Sequence, residues 1–228
     1  MQQTVEKGDA LQRIAGIALI VAAIAIGVSN ALLPRADDPS QVQQVLTKFG
    51  ENERLAQIAF LGLAIGMWFL LGGIAGIYRS LSTGMAAAWA RLAFYAAVVA
   101  AATWTVVFAT GWAEAGAAAN WLAAGKDTTA YSVAAAIHAI EMATFSMAIV
   151  VEWAAVILLG IAISLSTLYP RWMGWIAIVL GVVTIPAIGV PQAIAGPSQT
   201  IDLLFLILSG LTLVWTLVMG FLITRKVW

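Results

Sequence analysis

The chain of 228 residues contains no cysteine, which excludes disulfides, thiol nucleophiles, iron–sulfur clusters and cysteine zinc sites together. Histidine is almost as scarce. His138 is the only one, so multi-histidine metal sites and histidine-bridged haems are excluded. Charged residues make up 10% of the chain, against about 25% in an ordinary soluble domain. Eleven Lys and Arg balance eleven Asp and Glu, so no basic excess exists to neutralise phosphates, and nucleic acid is excluded as a partner. No phosphate loop, dinucleotide fingerprint or nucleophile elbow occurs. The sequence therefore requires no cofactor and carries no haem, iron–sulfur or nucleotide signature.

Apolar residues are what the chain has in excess. They reach 62%, where soluble domains average about 45–50%. A helix needs about 20 mostly apolar residues, each rising about 1.5 Å, to cross about 30 Å of hydrocarbon. Six stretches meet that requirement: residues 14–33, 55–78, 87–112, 142–168, 172–190 and 203–224, most of them closed by proline or a charge. The expectation is a single domain, an all-α polytopic membrane protein with six transmembrane helices. Its first apolar run is longer than a signal-peptide core and is expected to persist as a membrane helix.

An even number of spans places both ends on one face. That face would carry Lys7, Arg13, Arg79, Arg91, Arg171, Arg225 and Lys226, against Arg35, Lys48, Arg54 and Lys126 on the other. Acidic residues show the reverse bias. Because Lys and Arg favour the cytoplasmic side, both termini are expected in the cytoplasm. Trp112, Trp172, Trp175 and Trp228, with Arg91, fall near expected membrane boundaries and read as interface anchors. Trp68, Trp104, Trp153 and Trp215 fall deeper, where packing between helices or against lipid is the expected role.

The outer connections read as helical. Residues 38–50 form an amphipathic surface helix, with Asp38 as cap, Pro39 in the first turn, and Val42, Val45, Leu46 and Phe49 on one face. It would cover the bundle or meet a partner. Residues 113–141 form a second helical connection, within which Ala115–Lys126 suggests a short interfacial helix. From 129 to 168 nothing but Gly160 interrupts helical sequence, so a helix that outreaches the membrane is expected. Gly62 with Gly66, and Gly72 with Gly76, form small-residue pairs that let helices approach closely, within the chain or between copies.

Charged side chains inside a span cost about 2.5–3.5 kcal/mol on insertion scales and are functional candidates by default. Glu152 is the sharpest, an intramembrane carboxylate that suits a proton relay, a cation site, a metal ligand, or a hydrogen bond to a neighbouring helix or subunit. His138, Glu141 and Glu152 lie on one helical stripe, and His138-x-x-Glu141 puts imidazole and carboxylate one turn apart. With Glu114 they would make a mononuclear metal site at the outer interface. The alternative is a solvated helix end with an ion pair or hydrogen bond.

The segment Leu168-Tyr169-Pro170-Arg171-Trp172-Met173-Gly174-Trp175, continuing to Gly181, resembles a turn in uncharacterised bacterial membrane proteins of six to eight spans. Tyr78-Arg79-Ser80-Leu81 is similar to the same group. The resemblance implies a multi-pass bacterial plasma-membrane protein of unknown function and supplies no catalytic residue. On these grounds the first expectation is a non-catalytic accessory or scaffold subunit of a membrane complex or homo-oligomer, whose partners are lipid and other membrane subunits or further copies of itself. The second is a small proton- or ion-coupled transporter using Glu152. The third is a membrane metal site at His138, Glu141 and Glu114.

Overall fold

The computed structural model describes the backbone of residues 2–225 and the side chains of Ala10 and residues 12–225. The Lys7 side chain, Lys226 and Trp228, which entered the orientation and anchor expectations, lie outside the described residues. Every regular element among the described residues is helical. They are α1 (Gln2–Leu32), α2 (Val42–Glu51), α3 (Glu53–Ser80), α4 (Gly84–Ala123), α5 (Thr128–Leu165), α6 (Arg171–Thr184), α7 (Val190–Ala195) and α8 (Gln199–Arg225). A π-helical turn, Ile185–Gly189, joins α6 to α7 without a break.

Six spans follow by length and composition: α1 from Gln12, α3, α4, α5, the combined α6–α7 rod, and α8. They close into a ring. Helix α1 packs on α3, α3 on α4, α4 on α5, α5 on α6, α6 on α8, and α8 returns to α1. Large apolar side chains such as Ile14, Leu61, Val99, Val179, Leu211 and Phe221 point outward and are exposed. Water would not tolerate such a belt, whereas lipid is its natural solvent.

Close approach in this ring depends on small residues. A Cβ on Gly62 would strike Ser29, one on Gly66 would strike Ile26, and one on Gly76 would strike Ala15, all on α1. Gly72 rests at ordinary contact distance from Ala18. The paired glycines of α3 thus receive α1 of the same chain. Gly174 of the Pro-Arg-Trp-Met-Gly turn does the same for α6, its backbone crowding Gly160 and Ser164 of α5. The two stretches that carry the family resemblance also meet: Ser80 Oγ and Tyr169 Oη lie 2.6 Å apart. Burial pushes the Tyr169 phenol up, only partly offset by that hydrogen bond.

Helices α4 and α5, of 40 and 38 residues, are each about 60 Å long, twice the hydrocarbon thickness. The segment from Ala115 is therefore not a separate surface helix; it continues α4 unbroken to Ala123. Alanine-rich sequence without proline, broken only by Gly116, lets the ladder continue. It ends where Gly125 and Lys126 both take positive φ, 66° and 65°. Asp127 then caps α5 by accepting from the Thr129 and Ala130 amides at 2.9 and 3.1 Å.

Two boundaries differ from expectation. Asp38 does not cap a helix at Pro39. Its carboxylate accepts from the amide and hydroxyl of Ser40 and from Gln41, which holds it below the usual carboxylate range and forms a turn. Helix α2 starts at Val42 and lays Leu46 and Phe49 against the bundle, with Gly50 crowding Ala118 of α4. Likewise, Pro191 does not end the fifth span. The π-turn, in which the Val190 amide reaches Ile185 O, accommodates Pro186 and Pro191, and the rod runs on to Ala195.

Candidate functional site

Glu152 lies thirteen residues before the end of α5, about 20 Å along the helix, and so within hydrocarbon depth. Its Oε2 accepts a 2.7 Å hydrogen bond from Trp104 Nε1 of α4. Sequence reasoning assigned Trp104 to packing alone. An indole buries its ring and keeps a donor, the property this position uses. Trp104 stacks on Phe108 at 5.2 Å between centroids and meets the edge of Phe145 at 5.4 Å. Phe205 of α8 touches both Phe145 and Trp153. One carboxylate thus faces an aromatic wall drawn from three helices.

The second group lies higher. His138 is about 40 Å along α5 from its Leu165 end, past the hydrocarbon thickness and in the part of α5 that outreaches the membrane. Glu114 projects from the matching part of α4. His138 Nδ1 and Glu114 Oε1 are 2.9 Å apart, and the Glu141 carboxyl interacts with both neighbours. One donor atom from each of the three residues lies within 4.8 Å of the others. Glu114 is fully buried, and His138 and Glu141 are each 5% exposed. Yet Glu114 Oε2 and Glu141 Oε2 have no hydrogen-bond partner. Buried polar atoms are normally satisfied, so two orphaned carboxylate oxygens side by side need a physical reason.

Both groups open onto one cavity of about 220 Å³ inside the ring. Its lining is mostly apolar, and its polar groups include Asn30, His138, Glu141, Glu152 and Gln192. At the α2 end Arg35 and Asp202 face each other across the mouth at 3.7 Å. Gln199 Nε2 donates to Asp37 O at 2.8 Å, tying the start of α8 to the loop after α1. Below Glu152 a smaller apolar void of about 30 Å³ continues between the helices. Met67, Glu152 and Thr212 line both spaces.

The structure brings Glu114, His138 and Glu141 together and keeps Glu152 apart, deeper in the same cavity. The stripe spacing on α5 was visible in the sequence. That α4 supplies both Glu114 and Trp104 was not, because helix register across a pair has no one-dimensional signature. Trp112, Trp172, Trp175 and Arg91 all lie exposed on the outside of the ring, away from the cavity. Gln192 lies on the continuation of the fifth span, on a helix that the prolines appeared to forbid.

A ring of six apolar helices around a cavity lined by a carboxyl group defines a polytopic membrane protein with an internal cavity. The chain belongs to the DUF4386 family, a domain of unknown function, whose model matches residues 14–226. Membership of an uncharacterised family is what the turn at residues 168–181 implied. No curated protein matches the chain. No solved structure matches it.

Proposed function

We propose that the protein binds a lipophilic organic cation in the cavity and carries it through the bilayer, with Glu152 as the counter-charge. The observation that carries this reading is the position of Glu152, the one ionisable residue among those described that lines both the large cavity and the smaller void. Aromatic faces attract cations through their quadrupoles, and a carboxylate adds a full charge in a medium where water does not screen it. Apolar walls suit the rest of such a molecule. The π-turn at Ile185–Gly189 is a local irregularity in the rod that brings Gln192 to the cavity, of the kind often found at functional sites. Of the features behind a scaffold role, the small-residue faces of α3 are occupied by α1 of the same chain, which leaves the scarcity of buried polar groups and the outward-reaching helices as its support.

The same reading places the α2 end on the outer side of a bacterial plasma membrane, with both termini cytoplasmic, as the Lys and Arg distribution favours. The cavity would then fill from outside or from the outer leaflet. Binding of tetraphenylphosphonium to the reconstituted protein tests the proposal. Glu152→Gln is expected to weaken it more than about tenfold, about 1.4 kcal/mol, with Glu152→Asp intermediate. Affinity should rise with pH, because only an ionised carboxylate attracts the cation, and that dependence should be markedly weaker in Glu152→Gln. The other titratable groups on the cavity are Arg35, His138, Glu141 and Asp202, so the variant comparison isolates Glu152. Equal affinity in wild type and Glu152→Gln would end this reading.

A further inference from the structure

We infer that Glu114, His138 and Glu141 form a binding site for one divalent transition-metal ion, of the class of zinc, manganese or iron. The inference does not depend on what the deeper cavity carries. Three observations converge. The donor atoms lie within 4.8 Å of one another, close enough to bind a common ion after small side-chain adjustments. All three residues are at least nine-tenths buried, and a carboxylate oxygen on each glutamate lacks any partner. Finally, the two acids adjoin each other in surroundings that penalise isolated charge.

A dication resolves that conflict. Two carboxylates with a neutral imidazole carry a charge of minus two, which one divalent ion cancels within the cluster. A hydrogen-bond network would need a proton held between the two adjoining carboxyl groups; as the side chains are placed, Glu114 Oε2 and Glu141 Oε2 have no hydrogen-bond partner. The donor set also selects the ion. One imidazole nitrogen with carboxylate oxygens suits zinc, manganese or ferrous iron, whereas calcium and magnesium prefer oxygen alone and cuprous copper prefers sulfur.

The scaffold is rigid in the required sense. His138 and Glu141 are one turn apart on α5, and Glu114 faces them from α4, the helix most extensively packed on α5. Both glycine-bearing turn and Asp127 cap hold the α4–α5 hairpin closed above the cluster. His138 and Glu141 also line the cavity. An ion held by three protein ligands keeps a coordination position open, as ligand-accessible rather than purely structural sites do. That position would face a molecule in the cavity.

The test uses the full chain, purified without a histidine tag. Titration with Co2+ is expected to give d–d absorption bands at one ion per chain, displaced by Zn2+ and reversed by a chelator. X-ray absorption of the zinc form should show one imidazole among oxygen donors; His138, as the only histidine, must supply it. Glu114→Gln and Glu141→Gln should weaken Co2+ binding at least about tenfold, while Glu51→Gln, exposed on α2, should not change it. Should either glutamine variant fail to fold, Glu141→Asp keeps the charge and shortens the reach, and should alter the band positions. Absence of stoichiometric Co2+ or Zn2+ in folded wild type overturns the inference. So does a zinc spectrum without imidazole, or unchanged affinity in both glutamine variants.

Discussion

Trp104 shows how one side chain can couple two roles. Its ring holds the aromatic wall and its N–H makes the one hydrogen bond that Glu152 receives among the described residues. Trp104→Phe keeps most of the ring area and removes the donor. A hydrogen bond contributes about 0.5–1.5 kcal/mol, and more where the acceptor is ionised, so the variant should lose about 1 kcal/mol or more of stability, measured by thermal unfolding in detergent. Unchanged stability would mean that the carboxyl finds another partner at no cost. The intramembrane carboxylate was legible from sequence, because an ionisable residue amid apolar ones stands out. Its partner was not: a tryptophan in a span looks the same whether its N–H meets a carboxylate or nothing.

At the scale of elements, small residues decide which helices can touch. In lipid no hydrophobic force favours burying leucine against leucine, so association rests on close van der Waals packing. Gly76 meets Ala15 and Gly66 meets Ile26, both without room for a side chain. Gly76→Leu should therefore separate α1 from α3 and cost about 1–3 kcal/mol or more, read as a lower unfolding midpoint. Gly84→Ala offers the contrast, since nothing lies within 4 Å of it; any cost there comes from its φ of 68° rather than from crowding. The glycine spacing was readable in the sequence, but its recipient was not, since the same pattern serves a neighbour in the chain or a second copy. The course of the fifth span was misleading for a related reason. Proline forbids the ordinary i to i−4 bond, yet a single π-turn accommodates it, and only the surrounding helices decide whether that turn forms.

At the scale of the whole molecule, closure of the ring makes the cavity. Helix α8 returns to α1, and its first turn brings Asp202 to Arg35 and Gln199 to Asp37 at the mouth. These contacts are surface-exposed and individually weak, so they contribute little to the stability of the fold. The absence of cysteine allows the orientation to be mapped cleanly. A single cysteine replacing Lys126, in the exposed α4–α5 turn, should react with a membrane-impermeant maleimide in intact cells. Thr83→Cys, in the exposed α3–α4 turn, should react only after the membrane is broken. The reverse pattern would invert the cavity to the cytoplasmic side while leaving the ring unchanged.

Solvent preference is a property of composition, and composition together with the lengths of the apolar stretches determined that this chain lives in lipid as six helical rods. Spacing along one helix added the stripe of His138, Glu141 and Glu152. What tertiary structure decided is everything that passes between rods: α4 offering Glu114 and Trp104 to α5, the glycines of α3 admitting α1, and the first and last spans meeting to enclose a space. Periodicity specifies which face of a helix is polar or small. It carries no record of the rotation and height at which a neighbouring helix arrives, and the sites of this protein are made at those meetings.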